Sequence, residues 1–256
     1  MRWLPAAVLA ASVYVACSAV TPAHAGPLTA DIGMSWDAAD SLQRIVDTRY
    51  GVGVINVRTD YIGAHVGDLD PWFWVGNQVP ALLITEVAGN KNLNLLGWYK
   101  ETGAKPVLQN DDIHDGVVFY GPQGAGSSKT ISLSSDPSSL VKFGFYLDTS
   151  NQNVKLSMPT FFTNRVFNTL PTAHAPYGGN VQALVFDISR IGNTAGLGSR
   201  FLVCFEDRDS GLPITASYSP NGNDNDYNDL VFEISALGAT PTAKLTFGQL
   251  KLKSLR

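Results

Sequence analysis

The alternation of apolar and polar residues along this chain predicts a protein built almost entirely from short β-strands. In segment 141–147 every second residue is a large apolar one, and the residues between them include a lysine and a glycine. A period of two is typical of a strand with one face buried. Similar segments, rich in β-branched and aromatic residues and separated by Gly, Asn, Pro and Ser, predict further strands. They are Val52–Val57, Ala81–Val87, Leu95–Tyr99, Lys129–Ser134, Val181–Ile188, Phe201–Phe205, Leu230–Ile234 and Leu245–Leu252.

One helix is predicted ahead of these strands. Apolar residues recur at helical spacing from Ala38 to Tyr50, with Ser35 as the candidate N-cap and Gly51 as the end. Nine strands with one helix predict an all-β protein, an antiparallel β-sandwich of jelly-roll-like form with one short N-terminal helix. Because no repeat of fixed period and no shift in composition divides the chain, we expect one domain over residues 26–256.

The first 25 residues predict a signal peptide. Met1-Arg2 is a basic start, segment 3–20 carries no charge, and the small residue Ala25 precedes the expected cleavage site. We therefore expect a bacterial protein that is secreted, either to the periplasm or outside the cell. Pro5 argues against a membrane anchor. The absence of a leucine three residues before Cys17 argues against a lipoprotein.

The composition excludes some partners. The chain has 18 Lys and Arg against 22 Asp and Glu, a net charge of −4. No basic run favours nucleic acid, and no second apolar stretch is long enough to span a bilayer. Cys204 is the only cysteine after residue 25. Its place in an apolar segment predicts a small buried hydrophobic residue and not a reactive thiol.

The densest group of carboxylates lies at the ends of two predicted strands. Glu206 and Asp207 follow segment 201–205, and three further acids precede segment 230–234. Carboxylates this close repel one another unless a cation or donated hydrogen bonds stabilise them. Calcium takes six to eight oxygen ligands, and side chains at alternate positions can wrap a turn around it. The candidate ligands of a structural Ca²⁺ site are therefore Glu206, Asp207, Asp224, Asp226, Asn228 and Asp229.

This acidic loop is not an EF-hand. With Asp224 as the first ligand, Asp229 occupies the position that requires glycine, and Ser235 occupies the position that requires glutamate. A purely structural interpretation is also open, in which Asp and Asn side chains cap backbone amides in Asx-turns. The spacing alone does not decide between an ion site and such turns.

Several motifs resemble the family called domain of unknown function 4114. The acidic motif, Phe205-Glu-Asp207 with Asp224-x-Asp-Tyr-Asn-Asp-Leu-Val-Phe232, is the most specific of them. Segments 84–89, 96–99, 143–147, 161–163 and 183–186 fit as well, so the resemblance covers about residues 80–235. Two departures are Gln182 in place of a histidine and the absence of a Gly-Gly pair between Asp207 and Asp224. The resemblance implies a secreted bacterial β-rich domain, of a kind also found in PEP-CTERM-type exported proteins. It favours calcium in the acidic loop and implies no established activity.

The sequence lacks catalytic motifs. His65, His114 and His174 stand far apart, and neither H-E-x-x-H nor G-x-S-x-G occurs. We therefore predict a non-catalytic binding or adhesion-type module for an extracellular ligand, with carbohydrate or a surface polymer as the candidate class. One alternative is a structural cell-surface or matrix protein. A second is a carbohydrate-active enzyme that uses Glu206 with an aspartate. Trp72 and Trp74 are candidate ligand-binding residues, unless both belong to the core.

Overall fold

The computed structural model describes residues 41–62, 71–75, 78–87, 93–134, 141–149, 160–168, 181–191, 199–207 and 226–235. These residues form two antiparallel five-stranded sheets and one short helix near the N-terminus. The predicted all-β sandwich is therefore confirmed. The predicted signal peptide, the candidate N-cap Ser35 and the predicted strand Leu245–Leu252 lie outside the described residues.

Each sheet is built from strands that are not all consecutive in the chain. In chain order the elements are helix α1 (Leu42–Tyr50) and strands β1 (Phe73–Val75), β2 (Gln78–Thr85), β3 (Leu95–Lys100), β4 (Asp115–Tyr120), β5 (Ser128–Ser132), β6 (Val141–Asp148), β7 (Thr160–Phe162), β8 (Ala183–Asp187), β9 (Arg200–Phe205) and β10 (Leu230–Ser235), with a 3₁₀ turn at Arg165–Phe167. Sheet A has the order β1-β6-β3-β4, with β7 also paired to β6. Sheet B has the order β5-β2-β10-β9-β8. Connections therefore cross between the sheets, including the one from β2 to β3.

The main core lies between the two sheets. Phe143, Phe145 and Leu147 of β6 point into it and are fully buried, as their alternation predicts. The rings of Phe145 and Phe232 meet edge to face, with centroids 5.0 Å apart. This contact joins sheet A to sheet B. Tyr146 on the opposite face of β6 is also buried, because it lies in a second cluster with Tyr99 and Phe162.

Helix α1 belongs to the outer face of sheet B. Its Leu42 and Val46 are fully buried in one cluster with Leu202 and Cys204. The predicted burial of Cys204 is thus confirmed, and that burial raises the pKa of its thiol. The helix is capped by Ser41, whose Oγ accepts a hydrogen bond from the Arg44 N–H.

Two sequence predictions about this region were wrong. The cap of α1 is Ser41 and not Ser35, so the helix begins at Leu42. Segment 52–57 is not a strand but a series of turns. Its β-branched residues suggest a strand, but Gly51 and Gly53 take positive φ angles of 105° and 73°, which turn the chain away from an extended course. No described helix is long and apolar enough to cross a membrane.

Three edge strands form hydrogen bonds with other parts of the chain. The Lys129 Nζ of β5 donates to the Val117 carbonyl of β4, which links the two sheets along one side. On β8, the Val185 carbonyl accepts from the Ile62 N–H at 2.8 Å. On β7, the Asn168 side chain bonds both the N–H and the carbonyl of Phe162, at 2.8 and 2.9 Å. These bonds occupy backbone groups that a further strand would need for pairing.

Candidate metal centre

Strand pairing brings the two halves of the acidic motif together. Strands β9 and β10 are antiparallel neighbours, and Phe205 at the end of β9 pairs with Leu230 at the start of β10. The residues after the first strand therefore lie beside the residues before the second. This places Glu206 and Asp207 next to Asp229 at one end of sheet B.

Three carboxylates converge at this point. Glu206, Asp207 and Asp229 each offer one oxygen atom, and these three atoms lie within 4.8 Å of one another. We call these residues the carboxylate cluster. They are only 0, 2 and 8% exposed. The Asp207 N–H donates to Oδ2 of Asp229 at 2.8 Å, which fixes the two chain segments against each other. Because burial strengthens repulsion between like charges, such a cluster is favourable only with compensating positive charge, donated hydrogen bonds or bound protons.

The other motif residues that the structure describes shape the loop. Oδ1 of Asp226 accepts a hydrogen bond from the Asn228 N–H at 3.2 Å, which is an Asx-turn. Tyr227 between them has a φ of 52°, and its hydroxyl donates to the Val181 carbonyl at 3.0 Å. Asp226 and Asn228 are themselves buried. The turn anticipated as the structural alternative thus exists at Asp226, immediately before the carboxylate cluster. A metal-ligand role for Asp226 and Asn228 stays a prediction, and Asp224 lies outside the described residues.

Two residues that the sequence did not single out also reach the site. Asn94 is 1% exposed, and its Nδ2 donates to Oε1 of Glu86 at 3.1 Å and to Oδ2 of Asp207 at 3.4 Å. Glu86 follows β2 and Asn94 precedes β3. Glu86 could have been identified from the sequence as an acidic residue at the end of an apolar strand. Its proximity to residue 207 depends on how the two sheets stack, which local patterns do not encode.

The donor set fits a hard cation. The carboxylate cluster offers only oxygen atoms, with the amide of Asn94 in contact with Asp207. Calcium and magnesium prefer carboxylate and carbonyl oxygens, whereas zinc and copper sites in proteins usually include histidine or cysteine. If a cation binds at this end of sheet B, Glu206, Asp207 and Asp229 are the residues that would hold it.

The candidate ligand-binding tryptophans lie in sheet A. Trp72 is partly buried, and its ring meets the rings of Tyr99 and Phe167 edge to face, each at 6.1 Å between centroids. The Lys142 Nζ lies 4.4 Å from the centre of the Trp72 ring. Trp74 pairs with Lys142 across β1 and β6, and its side chain is outside the described part of the structure. Trp72 therefore covers the outer face of sheet A. A role for either tryptophan in ligand binding stays a prediction.

Comparison of the chain with protein-family models, with curated proteins and with solved structures gives no match. The resemblance to domain of unknown function 4114 therefore depends on the quoted motifs alone and stays a prediction.

Proposed function

We propose that this chain is an exported, non-catalytic β-sandwich module that is stabilised by a bound Ca²⁺ ion and binds an extracellular ligand. The observation that carries the proposal is the convergence of Glu206, Asp207 and Asp229. All three are buried, and one carboxylate oxygen of each lies within 4.8 Å of the other two. A cation bound by all three carboxylates would neutralise their mutual repulsion. It would also link the end of β9 to the start of β10.

Calcium is favoured over magnesium by the burial of the cluster. Magnesium loses its water ligands reluctantly and usually binds through one or two carboxylates with several waters. Calcium accepts a larger and more flexible set of protein oxygens. Three carboxylates that are at most 8% exposed suit the ion that exchanges its waters for protein ligands more readily. The predicted export of the chain would bring the site into a compartment without cytosolic control of free calcium.

The same geometry supports a non-catalytic role. The carboxyl groups of a glycosidase lie about 5–9.5 Å apart on either side of a sugar that must reach them. Here the three acids are buried and direct one oxygen atom each to a common point, which suits a cation better than a substrate. His114 is the one histidine that the structure describes. Its side chain is 59% exposed, and its Nδ1 lies 2.6 Å from Oδ2 of Asp111. That pair belongs to an exposed loop.

Thermal unfolding of the exported form, in Ca²⁺ and in chelator, tests the ion site. At a hundred times its dissociation constant, an ion that binds only the folded state adds about 2.7 kcal/mol to the free energy of unfolding. For a protein of this size we expect a rise in Tm of about 5–10 °C. Asp229→Asn keeps an oxygen for the Asp207 N–H but removes one charge, so the rise should largely disappear.

Asp187→Asn is the matched control for this experiment. Asp187 pairs with Phe201 at the opposite end of β9 from the cluster, and its carboxylate accepts from the Ser189 N–H at 3.0 Å. Its calcium response should equal that of the unmodified protein. The ion site is refuted by the absence of any calcium response, or by an equal response in Asp229→Asn.

Hydrogen bonds at the edges of three strands favour a binding module over a self-associating matrix protein. The bonds from Lys129, Ile62 and Asn168 occupy backbone groups on β4, β8 and β7. Since these groups are unavailable for strand addition, we expect the exported form to remain monomeric in Ca²⁺. Sedimentation over a hundredfold range of concentration measures this. Growth of the particle with concentration would support the matrix alternative.

A further inference from the structure

A buried oxygen beside the carboxylate cluster lacks a hydrogen-bond donor. Among the described residues, Oδ1 of Asn94 has no hydrogen-bond partner, although the residue is 1% exposed. The other half of the same amide is engaged, because Nδ2 donates to Glu86 and Asp207. Buried side-chain oxygens nearly always have a partner. The exception therefore needs a physical explanation.

The surroundings of the amide suggest a cation as the missing partner. The groups that hold Asn94 are carboxylates, which accept hydrogen bonds and can donate none while ionised. Nδ2, and not Oδ1, is the amide atom that faces Glu86 and Asp207. Half a turn of the amide would exchange these two atoms, which have nearly the same shape, and would bring Oδ1 beside both carboxylates. Without a cation that orientation sets oxygen against oxygen. With a hard cation present, an amide oxygen and carboxylate oxygens are compatible ligands of one ion.

Asn94 and the carboxylate cluster belong to different sheets of the sandwich. The carboxylate cluster lies at the ends of β9 and β10, which belong to sheet B, whereas Asn94 immediately precedes β3 of sheet A. Relying on the proposed ion site, we propose that the bound cation also takes Oδ1 of Asn94 as a ligand. The ion then links the two sheets at the end of the sandwich where the chain crosses from β2 to β3.

Calorimetric titration with CaCl₂ tests the role of Asn94. Asn94→Ala removes the ligand oxygen and should weaken calcium binding at least about tenfold, as losses around metal ligands do. Asn94→Asp keeps an oxygen and adds a charge, so it should bind calcium at least as tightly as the unmodified protein. In chelator the same variant should melt at a lower temperature, because a further carboxylate joins the cluster.

Asn168→Ala is the matched control. Asn168 is 2% exposed, and its side-chain amide bonds the N–H and the carbonyl of Phe162 at the edge of sheet A. This variant should lower Tm in chelator and leave the calcium dissociation constant unchanged. It separates loss of a buried asparagine from loss of an ion ligand.

The outcomes separate this inference from the proposed function. If the unmodified protein binds no calcium at millimolar concentration, the proposed ion site itself is wrong. If it binds calcium and both Asn94 variants keep its affinity, the ion site stands and the role of Asn94 is overturned. Weaker binding in Asn94→Asp as well as in Asn94→Ala shows that the amide serves only as a donor to Asp207, which also overturns the ligand role. Should Asn94→Ala fail to fold, Asn94→Asp alone decides between ligand and donor.

Discussion

Gly97→Val should destabilise the sandwich by about 3 kcal/mol or more, measured as the free energy of unfolding in urea. Gly97 of β3 lies directly opposite Tyr146 of β6, and the tyrosine ring covers it. A Cβ atom at position 97 would lie 2.1 Å from Cζ of that ring, far inside any real contact distance. Tyr146 is 3% exposed and packs against Phe162, so its ring cannot move aside without losing buried contacts.

A second substitution identifies the cause of this loss. In a Tyr146→Ala background the ring is gone, so Gly97→Val should cost about 1–3 kcal/mol less than in the unmodified protein. Gly124→Val is the control, because a Cβ at that exposed position meets nothing within 4 Å. Its effect should stay within about 0.5 kcal/mol. Equal costs of Gly97→Val with and without the tyrosine ring would show that the glycine is needed for another reason.

The sequence predicted strands whose apolar residues mark one face or both faces as buried. Strand β6 alternates between large apolar residues and others, and β10 is apolar at every position from Leu230 to Ile234 except Glu233, so their patterns report their surroundings directly. The hydrophobic pattern missed strands β1, β4 and β7. Strands β1 and β7 have three residues each, too few for a period to be visible. Strand β4 begins with Asp115 and Gly116, which resemble a turn in sequence. Its Asp115 is in fact buried and accepts hydrogen bonds from backbone N–H groups of residues 109 and 110.

The candidate site likewise contains residues that the sequence could predict and one that it could not. Glu206, Asp207 and Asp229 were predictable because each adjoins one of two strands that follow each other in the chain, and consecutive strands usually pair. Asn94 was not, because 113 residues separate it from Asp207 along the chain. Its place depends on the order of strands in two sheets and on how those sheets stack. A sequence pattern describes the surroundings of a residue within its own strand, but not the strand that faces it.

Glu233 shows how the fold stabilises a buried carboxylate with groups of its own. It lies on β10 and is 5% exposed. Its Oε1 accepts from Arg49 Nε at 2.5 Å and from the Tyr50 hydroxyl at 2.6 Å, and its Oε2 accepts from Arg200 at 2.8 Å. Burial by itself would raise the pKa of Glu233, but the hydrogen bonds from Arg49, Tyr50 and Arg200 outweigh it and lower that pKa. The C-terminal end of α1 is thereby attached to sheet B.

Glu233→Gln should therefore lower the free energy of unfolding by about 3 kcal/mol at neutral pH. Removing one partner of a buried ion pair costs about 3–5 kcal/mol, and the lower end applies because the Arg49 side chain is 34% exposed. The loss should depend on pH. Because the folded-state pKa lies below the ordinary value of 4.5, the contribution of ionised Glu233 is complete above that value. It is lost as the pH falls from there through the folded-state pKa, so the two proteins should become nearly equal in stability in strong acid.

Urea unfolding of both proteins across the acid range measures this convergence, and Glu101→Gln provides the comparison. Glu101 pairs with Lys142 at 3.4 Å, where both side chains are partly exposed. Such a pair contributes at most about 1 kcal/mol, because solvent screens it. If Glu233→Gln costs no more than Glu101→Gln, or if its cost persists unchanged in strong acid, the attachment of α1 does not depend on the ionised carboxylate. The apolar contacts of Leu42 and Val46 would then be what holds the helix on sheet B.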